Sequence, residues 1–219
     1  MSSASSPFAN ELQVCVASKP PRGCGIPFPE RPGYLRVDVT SGSAAKLPGG
    51  ARAVELSPLH LGPVRDAEGN VFVRFENLWT YHKVYPQLGH WDPDKRRPTA
   101  EWRRWRAAGM QKLTGGKGVR TPPEVARLKK QAREGLRESW TPVGHWWGGR
   151  LLSYVEAREQ IYVPLYAALI RDSAAVRGLR ELGRVNHLMI LDLDGPDREA
   201  HWKGVQLNAA TWERHLRDT

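Results

Sequence analysis

The sequence has few cysteines and no long apolar segment. Cys15 and Cys24 are nine positions apart, without a metal-ligand pattern around them, so they predict neither a disulfide framework nor a zinc module. No run of about 18 apolar residues is present, which argues against a membrane span. The Ser/Ala-rich stretch 1–10 lacks the basic and apolar regions of a secretory signal. We expect a soluble cytoplasmic protein with no membrane partner.

Several enzyme motifs are also missing. Gly115-Gly116-Lys117-Gly118 lacks the spacing and the preceding strand of a nucleotide-binding loop. Neither the His-x-Glu and Pro-Cys-x-x-Cys motifs of zinc deaminases nor the nucleophile elbow of serine hydrolases occurs. A histidine in a helical metal site usually has a second metal ligand four residues away. No such partner accompanies His82, His90, His145, His187 or His201. We therefore expect no metal and no cofactor, which leaves carboxylate, lysine and aromatic chemistry.

Positive charge is concentrated in residues 95–133, here called the basic segment. It holds thirteen lysines and arginines but only two acidic residues, although the whole chain has a net charge of +10. Such a concentration, interleaved with tryptophans, predicts a nucleic-acid surface that binds phosphates and stacks on bases. The alternative is a solvated basic loop whose tryptophans only pack. The candidate nucleic-acid-binding residues are Arg103, Arg104, Arg106, Lys112, Lys117, Arg120, Lys129, Lys130, Trp146 and Trp147.

Hydrophobic periodicity and turn residues predict an α+β fold. We expect an irregular N-terminal arm over residues 1–34 and one domain over 35–219. In that domain a small mixed sheet is surrounded by helices, with a basic helical insertion at about 91–147. Strands are predicted at 35–40, near 54–56, and at 71–75 and 187–193. Helices are predicted at 76–85, 99–112, 122–137 with Thr121 as N-cap, 150–171 with a kink at Pro164, and 208–216.

One predicted helix carries a candidate site. At helical spacing, Glu76, Trp79, Thr80 and Lys83 share one face, whereas Leu78, Tyr81 and Tyr85 lie opposite. A carboxylate and a lysine with an aromatic ring between them suit a sugar or base bound around its C1 carbon. An ordinary exposed face with a solvated Glu and Lys explains the same spacing.

Three segments resemble the NADAR family of N-glycosidases. The stretch Arg74–Tyr85 has that family's Glu-x-x-aromatic-x-x-x-Lys pattern. Leu56–Pro63 is similar to a Ser-Pro-containing segment of the family. Tyr154–Tyr166 looks like a helix of a bacterial branch near that family. Asp192 and Asp194 would correspond to the acidic segment that comes late in the family's sequence. The closing Trp-Gly-x-Gly motif of the family is absent.

The resemblance implies cleavage of a bond between C1′ and a base. Glu76 would stabilise the positive charge that develops on the sugar, with Glu156 as second candidate. Asp192 and Asp194 would divide acid and base roles, or only cap their strand. Lys83 would bind a phosphate or sugar oxygen, or attack C1′ to form a Schiff base. The candidate substrate-binding residues are Arg74, Trp79, Thr80, Arg158 and Tyr162.

Together with the basic segment, this chemistry predicts a DNA glycosylase that acts on a flipped base. The resemblance extends to bacterial antiphage glycosylases, which suggests glucosylated hydroxymethylcytosine in phage DNA as substrate. Two alternatives stay open. One is an ADP-ribosyl or small-molecule N-glycosidase, which needs only the acidic site. The other is a non-enzymatic nucleic-acid-binding protein, which needs only the basic segment.

Overall fold

The computed structural model describes residues 14–18, 32–40, 42–136 and 139–192. Backbone contacts divide the chain into two compact units. Unit 1 comprises Met1–Ser57 and Ser173–Thr219, and unit 2 comprises Pro58–Asp172. Both contain helices and small sheets, so the predicted α+β class is confirmed. The predicted boundaries of the arm, the domain and the insertion stay predictions.

The strands are β1 Val14–Ser18, β2 Tyr34–Asp38, β3 Val64–Arg65, β4 Val71–Phe72, β5 Lys83–Val84, β6 Trp91–Asp92, β7 Arg97–Pro98, β8 Gly144–Trp147, β9 Arg150–Leu152 and β10 His187–Asp192. The α-helices are α1 Phe75–Tyr81, α2 Ala100–Gly109, α3 Pro123–Arg133, α4 Tyr154–Ala157, α5 Val163–Ile170 and α6 Ala174–Leu182. No helix within these described ranges has both the length and the apolar character needed to cross a bilayer. The helix predicted at 208–216 lies outside the described residues.

Unit 1 is built on a parallel sheet with strand order β1-β10-β2. Leu188 and Leu191 of the central strand β10 are buried, as its apolar sequence predicted. Strand β1 lies inside the arm predicted to be irregular, because its short apolar run pairs along β10 despite the surrounding prolines and glycines. The strand predicted near 54–56 is instead part of a 3-10 helix, Ala53–Leu56. Its Glu55 carboxylate accepts a hydrogen bond from the Arg52 backbone and caps that turn.

Helix α1 is the centre of unit 2, and all seven of its residues are buried. The helix is shorter than predicted because it ends at Tyr81, and Lys83–Val84 pairs with β8 as an antiparallel strand. Pro86 disfavours helical backbone at the residue before it, which is consistent with an extended exit. At the other end Phe75 already belongs to the helix, so the strand predicted at 71–75 is only Val71–Phe72.

The two basic helices form close to their predicted positions. Thr99 caps α2, since its side-chain oxygen accepts a hydrogen bond from the Trp102 backbone at 3.3 Å. Helix α3 is capped at Pro122 rather than at the predicted Thr121. A proline fits there because its fixed φ is compatible with an extended N-cap, and Pro123 at the first helical position needs no N–H.

The helix predicted at 150–171 is confirmed over 154–170 but not at its beginning. Arg150–Leu152 is instead strand β9, which forms a hairpin with β8 through Gly148 and Gly149 at φ 55° and 83°. The remainder is α4, a π-helical turn at Arg158–Tyr162, and α5. Pro164 lacks the N–H that an α-helix requires of it, and its ring crowds the carbonyl four residues earlier. A π-turn just before it relaxes this crowding and replaces the predicted simple kink.

Candidate functional site

Glu76 lies in a nearly closed environment at the start of α1. Glu76 is 9 % exposed, and its backbone N–H donates a hydrogen bond to the Pro58 carbonyl at 3.0 Å. The Thr80 hydroxyl, one turn later, is 3.3 Å from the Glu76 Oε1 atom. An ionised carboxylate at this position is screened by little water, so it interacts strongly with any charge that forms beside it.

The basic segment contacts α1 directly at Glu76. Gly118 packs so closely there that an added Cβ would lie 2.9 Å from the Arg74 Cβ and 3.2 Å from the Glu76 Cβ. The Thr80 hydroxyl is also 3.3 Å from the Arg120 carbonyl oxygen, so Thr80 lies between the carboxylate and the basic segment. The sequence predicted both features but gave no indication that they adjoin.

Asn77 fastens the basic segment to α1. The side chain is fully buried, and its Nδ2 donates to the Gly109 and Lys112 carbonyls, each at 2.7 Å. Its Oδ1 accepts from the Val119 backbone at 2.9 Å. One amide thus satisfies three backbone groups of the basic segment that α1 cannot reach through its own backbone.

Asn77→Ala is expected to lower the free energy of unfolding by about 3–5 kcal/mol, because three buried backbone groups lose their partner and a small cavity forms. Urea unfolding followed by tryptophan fluorescence measures the effect. Gln111→Ala is the control, since the exposed Gln111 amide makes a single bond, to Val71, and its loss is expected to cost less than about 1 kcal/mol. Equal effects of the two variants would contradict this role for Asn77.

An aromatic cluster covers the C-terminal half of α1. The Trp79 ring stacks on His145 with centroids 4.1 Å apart, and Tyr162 meets it edge-on at 5.0 Å. Lys83 Nζ lies 5.7 Å from the centre of the Trp79 ring. Lys83 and His145 are directly opposed in the β5–β8 pair, so both side chains are on the same face of that strand pair. Lys83 therefore reaches the cluster from a strand and not from the predicted helix.

His145 is a buried residue that no sequence motif indicated as functional. It is 1 % exposed, and neither ring nitrogen has a hydrogen-bond partner in the described part of the chain. Burial, with the nearby charge of Lys83, lowers its pKa to about 2. The ring is therefore neutral in the folded protein, and one N–H and one nitrogen lone pair stand beside Trp79.

Arg106 does not belong to the exposed nucleic-acid surface, contrary to prediction. It is 7 % exposed and forms ion pairs with Asp66 and, at 3.1 Å, with Glu68. Burial alone would raise the pKa of Asp66, but the His82 ring 3.6 Å away, hydrogen bonds from Asn70 and the charge of Arg106 bring it below its usual range. Arg106 thus neutralises a buried acidic group, which is a structural role.

Glu156 is an exposed capping residue. Its carboxylate accepts a hydrogen bond from the Ser153 backbone at 2.8 Å, and the Ser153 hydroxyl accepts one from the Glu156 backbone at 3.3 Å. This is a capping box at the start of α4, and the hydrogen bonds from Ser153 lower the pKa of Glu156. One carboxylate oxygen of Glu156 thus serves the helix end, and its role as second catalytic carboxylate stays a prediction.

The other residues predicted to bind substrate, Arg74, Arg158 and Tyr162, are half-buried or buried. The Arg158 guanidinium lies 4.2 Å from the centre of the Tyr162 ring, so these residues are neighbours as predicted. Tyr162 is buried against Phe75 at 4.9 Å and against Trp79. Arg74 is half-buried, and its Nη1 donates to the Val73 carbonyl at 3.3 Å. Tyr162 is thus part of the wall that supports Trp79.

Most cations of the basic segment do reach the surface. Arg104 pairs with Glu101 on its own helix, and Lys130 with Glu134 at 3.8 Å, both in exposed positions. Lys129 lies 4.2 Å from the centre of the Trp140 ring. The exposed candidates are Arg103, Arg104, Lys112, Arg120 and Lys130, and the half-buried ones are Lys117, Lys129, Trp146 and Trp147.

Of the two late acidic residues, the structure describes Asp192. Asp192 is the last residue of β10, and its backbone pairs in register with Ser18. Asp194 lies outside the described residues. Within the described part of the chain no group of three or more metal-ligating side chains is present. The acid and base roles predicted for Asp192 and Asp194 remain predictions.

The NADAR resemblance rests on the segments that contain Leu56, Glu76 and Tyr154. The structure places Glu76 beside the basic segment, while Tyr154 lies 6.1 Å from Trp79, edge to face. Membership of that family stays a prediction. Comparison of the chain with protein-family models, curated proteins and solved structures gives no match.

Proposed function

We propose that the chain is a DNA glycosylase, an N-glycosidase that hydrolyses the bond between C1′ of a deoxyribose and a modified base. The observation that carries the proposal is the contact of the basic segment with Glu76 through Gly118 and Thr80. A shielded carboxylate and a segment rich in exposed cations meet at one place. An enzyme acting on a polyanion requires both, whereas either rival function requires only one.

Glu76 would act on the sugar. When the C1′–N bond breaks, its electron pair leaves with the base and positive charge develops on the deoxyribose. The Glu76 carboxylate stabilises that charge and orients a water molecule, whose oxygen then bonds to C1′. A proton from the water passes to the carboxylate or to the departing base. Low exposure of Glu76 strengthens this interaction because little water competes for the charge.

Trp79, His145 and Tyr162 would form the wall against which sugar and base are held. The neutral His145 ring has donor and acceptor atoms for uncharged polar groups of a base or of an attached sugar. Lys83, above Trp79, would bind a phosphate or sugar oxygen. A base must leave the double helix to reach such a buried site, at a cost of a few kcal/mol.

The exposed cations of the basic segment would bind the DNA backbone and supply the energy for extrusion of the base. A glucosylated hydroxymethylcytosine of phage DNA, met in the cytoplasm, is the substrate we propose. Removal of this base leaves abasic sites in the invading genome, so the activity would serve as antiviral defence.

Release of free base from DNA tests the proposal. The purified protein is incubated with DNA carrying ordinary, hydroxymethylated or glucosylated cytosine, and released base and alkali-sensitive sites are quantified. We expect release from the glucosylated DNA. Tight, salt-sensitive binding without release from any DNA would favour the non-enzymatic binding protein.

Charge reversal separates the DNA glycosylase from a small-molecule N-glycosidase. Arg103→Glu with Arg104→Glu is expected to weaken DNA binding and base release together, because two phosphate-binding charges change sign. An enzyme acting on a free nucleoside or an ADP-ribosyl group would tolerate both changes. The same base-release assay at low and high salt measures the difference.

A further inference from the structure

A second concave surface lies behind the aromatic cluster, on the opposite face of β8. Side chains alternate between the two faces of a strand. His145 packs on Trp79, and the next residue, Trp146, lines a cleft of about 170 Å³. Trp102 and Arg106 line the same cleft, and both are buried. Strand β8 thus separates the Glu76 site from a distinct cavity.

The cleft combines positive charge with an accessible aromatic ring. Exposed Arg97 and Arg103 line it, and the Arg103 Nη1 donates to the Pro98 carbonyl at 3.4 Å. The charge of Arg106 is opposed by two carboxylates, Asp66 and Glu68, and Glu68 also lines the cleft. Arg97 and Arg103 outweigh the one uncompensated carboxylate, so the cleft keeps a single net positive charge. Trp146 is half-buried, so part of its surface remains accessible.

Size limits what the cleft accommodates. Pockets for drug-sized ligands and cofactors usually enclose about 300–1,000 Å³, and this cleft is smaller. It encloses about one phosphate group, so a ring that stacks on the exposed part of Trp146 lies at its rim. Arginine forks bind phosphate oxygens, and the face of a tryptophan stacks on any base.

We propose that this cleft binds one nucleotide unit of a DNA strand, on the face of β8 opposite the aromatic cluster. The phosphate lies between Arg97 and Arg103, and the base stacks on Trp146. The inference rests on the proposed function for DNA as the ligand, but not on Glu76 being catalytic. It assigns to Trp146 a stacking role and to Arg97 a phosphate contact.

Binding of a fluorescently labelled oligo-deoxythymidine to the full chain tests this assignment. Trp146→Leu and Arg97→Ala are each expected to raise its Kd about 5-fold or more. Arg97→Ala is also expected to reduce the slope of log affinity against log salt by about one. Trp146→Phe keeps a ring and should retain most of the affinity, which excludes simple misfolding. Arg180→Ala, an exposed cation of α6, is the charge-matched control.

Base release is measured in parallel to keep the two proposals apart. Unchanged affinity in both Trp146→Leu and Arg97→Ala would overturn the cleft assignment and leave the glycosylase proposal intact. Reduced affinity in both, with no base release by the wild type from any DNA, would keep the cleft and overturn the glycosylase. Displacement of the oligonucleotide by equal concentrations of thymidine 5′-monophosphate would overturn the assignment to a strand, since a free nucleotide would then suffice.

Discussion

Glu76→Gln is expected to reduce the rate of base release by about 10²–10⁴-fold. Glutamine has nearly the same shape, and its amide oxygen can accept the Thr80 hydrogen bond that the carboxylate accepts now. It carries no negative charge to stabilise the oxocarbenium-like state or to take a proton from water. Single-turnover release of base from a defined oligonucleotide measures the rate, and thermal unfolding shows that the fold is retained.

Two carboxylates near the same cluster make matched controls for Glu76. Glu156→Gln removes only part of the capping box of α4, and Glu159→Gln changes an exposed residue of the π-turn. Both variants are expected to release base at a rate close to wild type. Wild-type activity in Glu76→Gln would remove Glu76 from the mechanism. Loss of activity in Glu156→Gln alone would transfer the carboxylate role to that residue.

Local sequence rules predicted the elements of the site better than their assembly. The spacing of Glu76, Trp79 and Thr80 correctly indicated a helix. The same spacing suggested one exposed and one buried side, yet every residue of α1 is buried. A period of 3.6 residues shows which side chains share a face, but not how many faces the rest of the chain will cover. The basic segment, distant in sequence, covers the face assigned to the site.

The structural contacts of Glu156 and Arg106 differ in whether a local sequence signal existed for them. Ser153-x-x-Glu156 is a capping-box pattern, so the sequence alone allowed Glu156 to be recognised as a helix cap. Arg106 carries no such signal, because its partner Asp66 lies 40 residues earlier. The burial of His145 likewise depends on the pairing of β5 with β8, across about 60 residues of intervening chain. Long-range pairing of this kind is not encoded in periodicity or local propensity.

The buried histidines predict a pronounced loss of stability in mild acid. Burial lowers the pKa of His90 to about 4 and that of His145 to about 2, against about 6.5 in an unfolded chain. As the pH falls below 6.5, the unfolded chain binds protons that the folded chain does not, so the free energy of unfolding decreases. Each histidine contributes a slope of up to about 1.4 kcal/mol per pH unit. Between pH 6.5 and pH 4.5 the pair is expected to cost about 3–5 kcal/mol.

His145→Leu isolates one of these contributions. Neither ring nitrogen of His145 has a hydrogen-bond partner in the described structure, so leucine removes the titrating group without breaking such a bond. Urea unfolding at several pH values between 4.5 and 7.5 should show a slope that is smaller by up to about 1.4 kcal/mol per pH unit in the variant. Asp66 changes the free energy of unfolding at a lower pH. Below about pH 4, protonation of its carboxylate weakens the ion pair with Arg106. An unchanged slope in His145→Leu would mean that His145 binds its proton at the same pH in the folded and in the unfolded chain, so that the ring is charged in mild acid. A charged ring would then lie beside Lys83, and the wall proposed for an uncharged base would carry two positive charges.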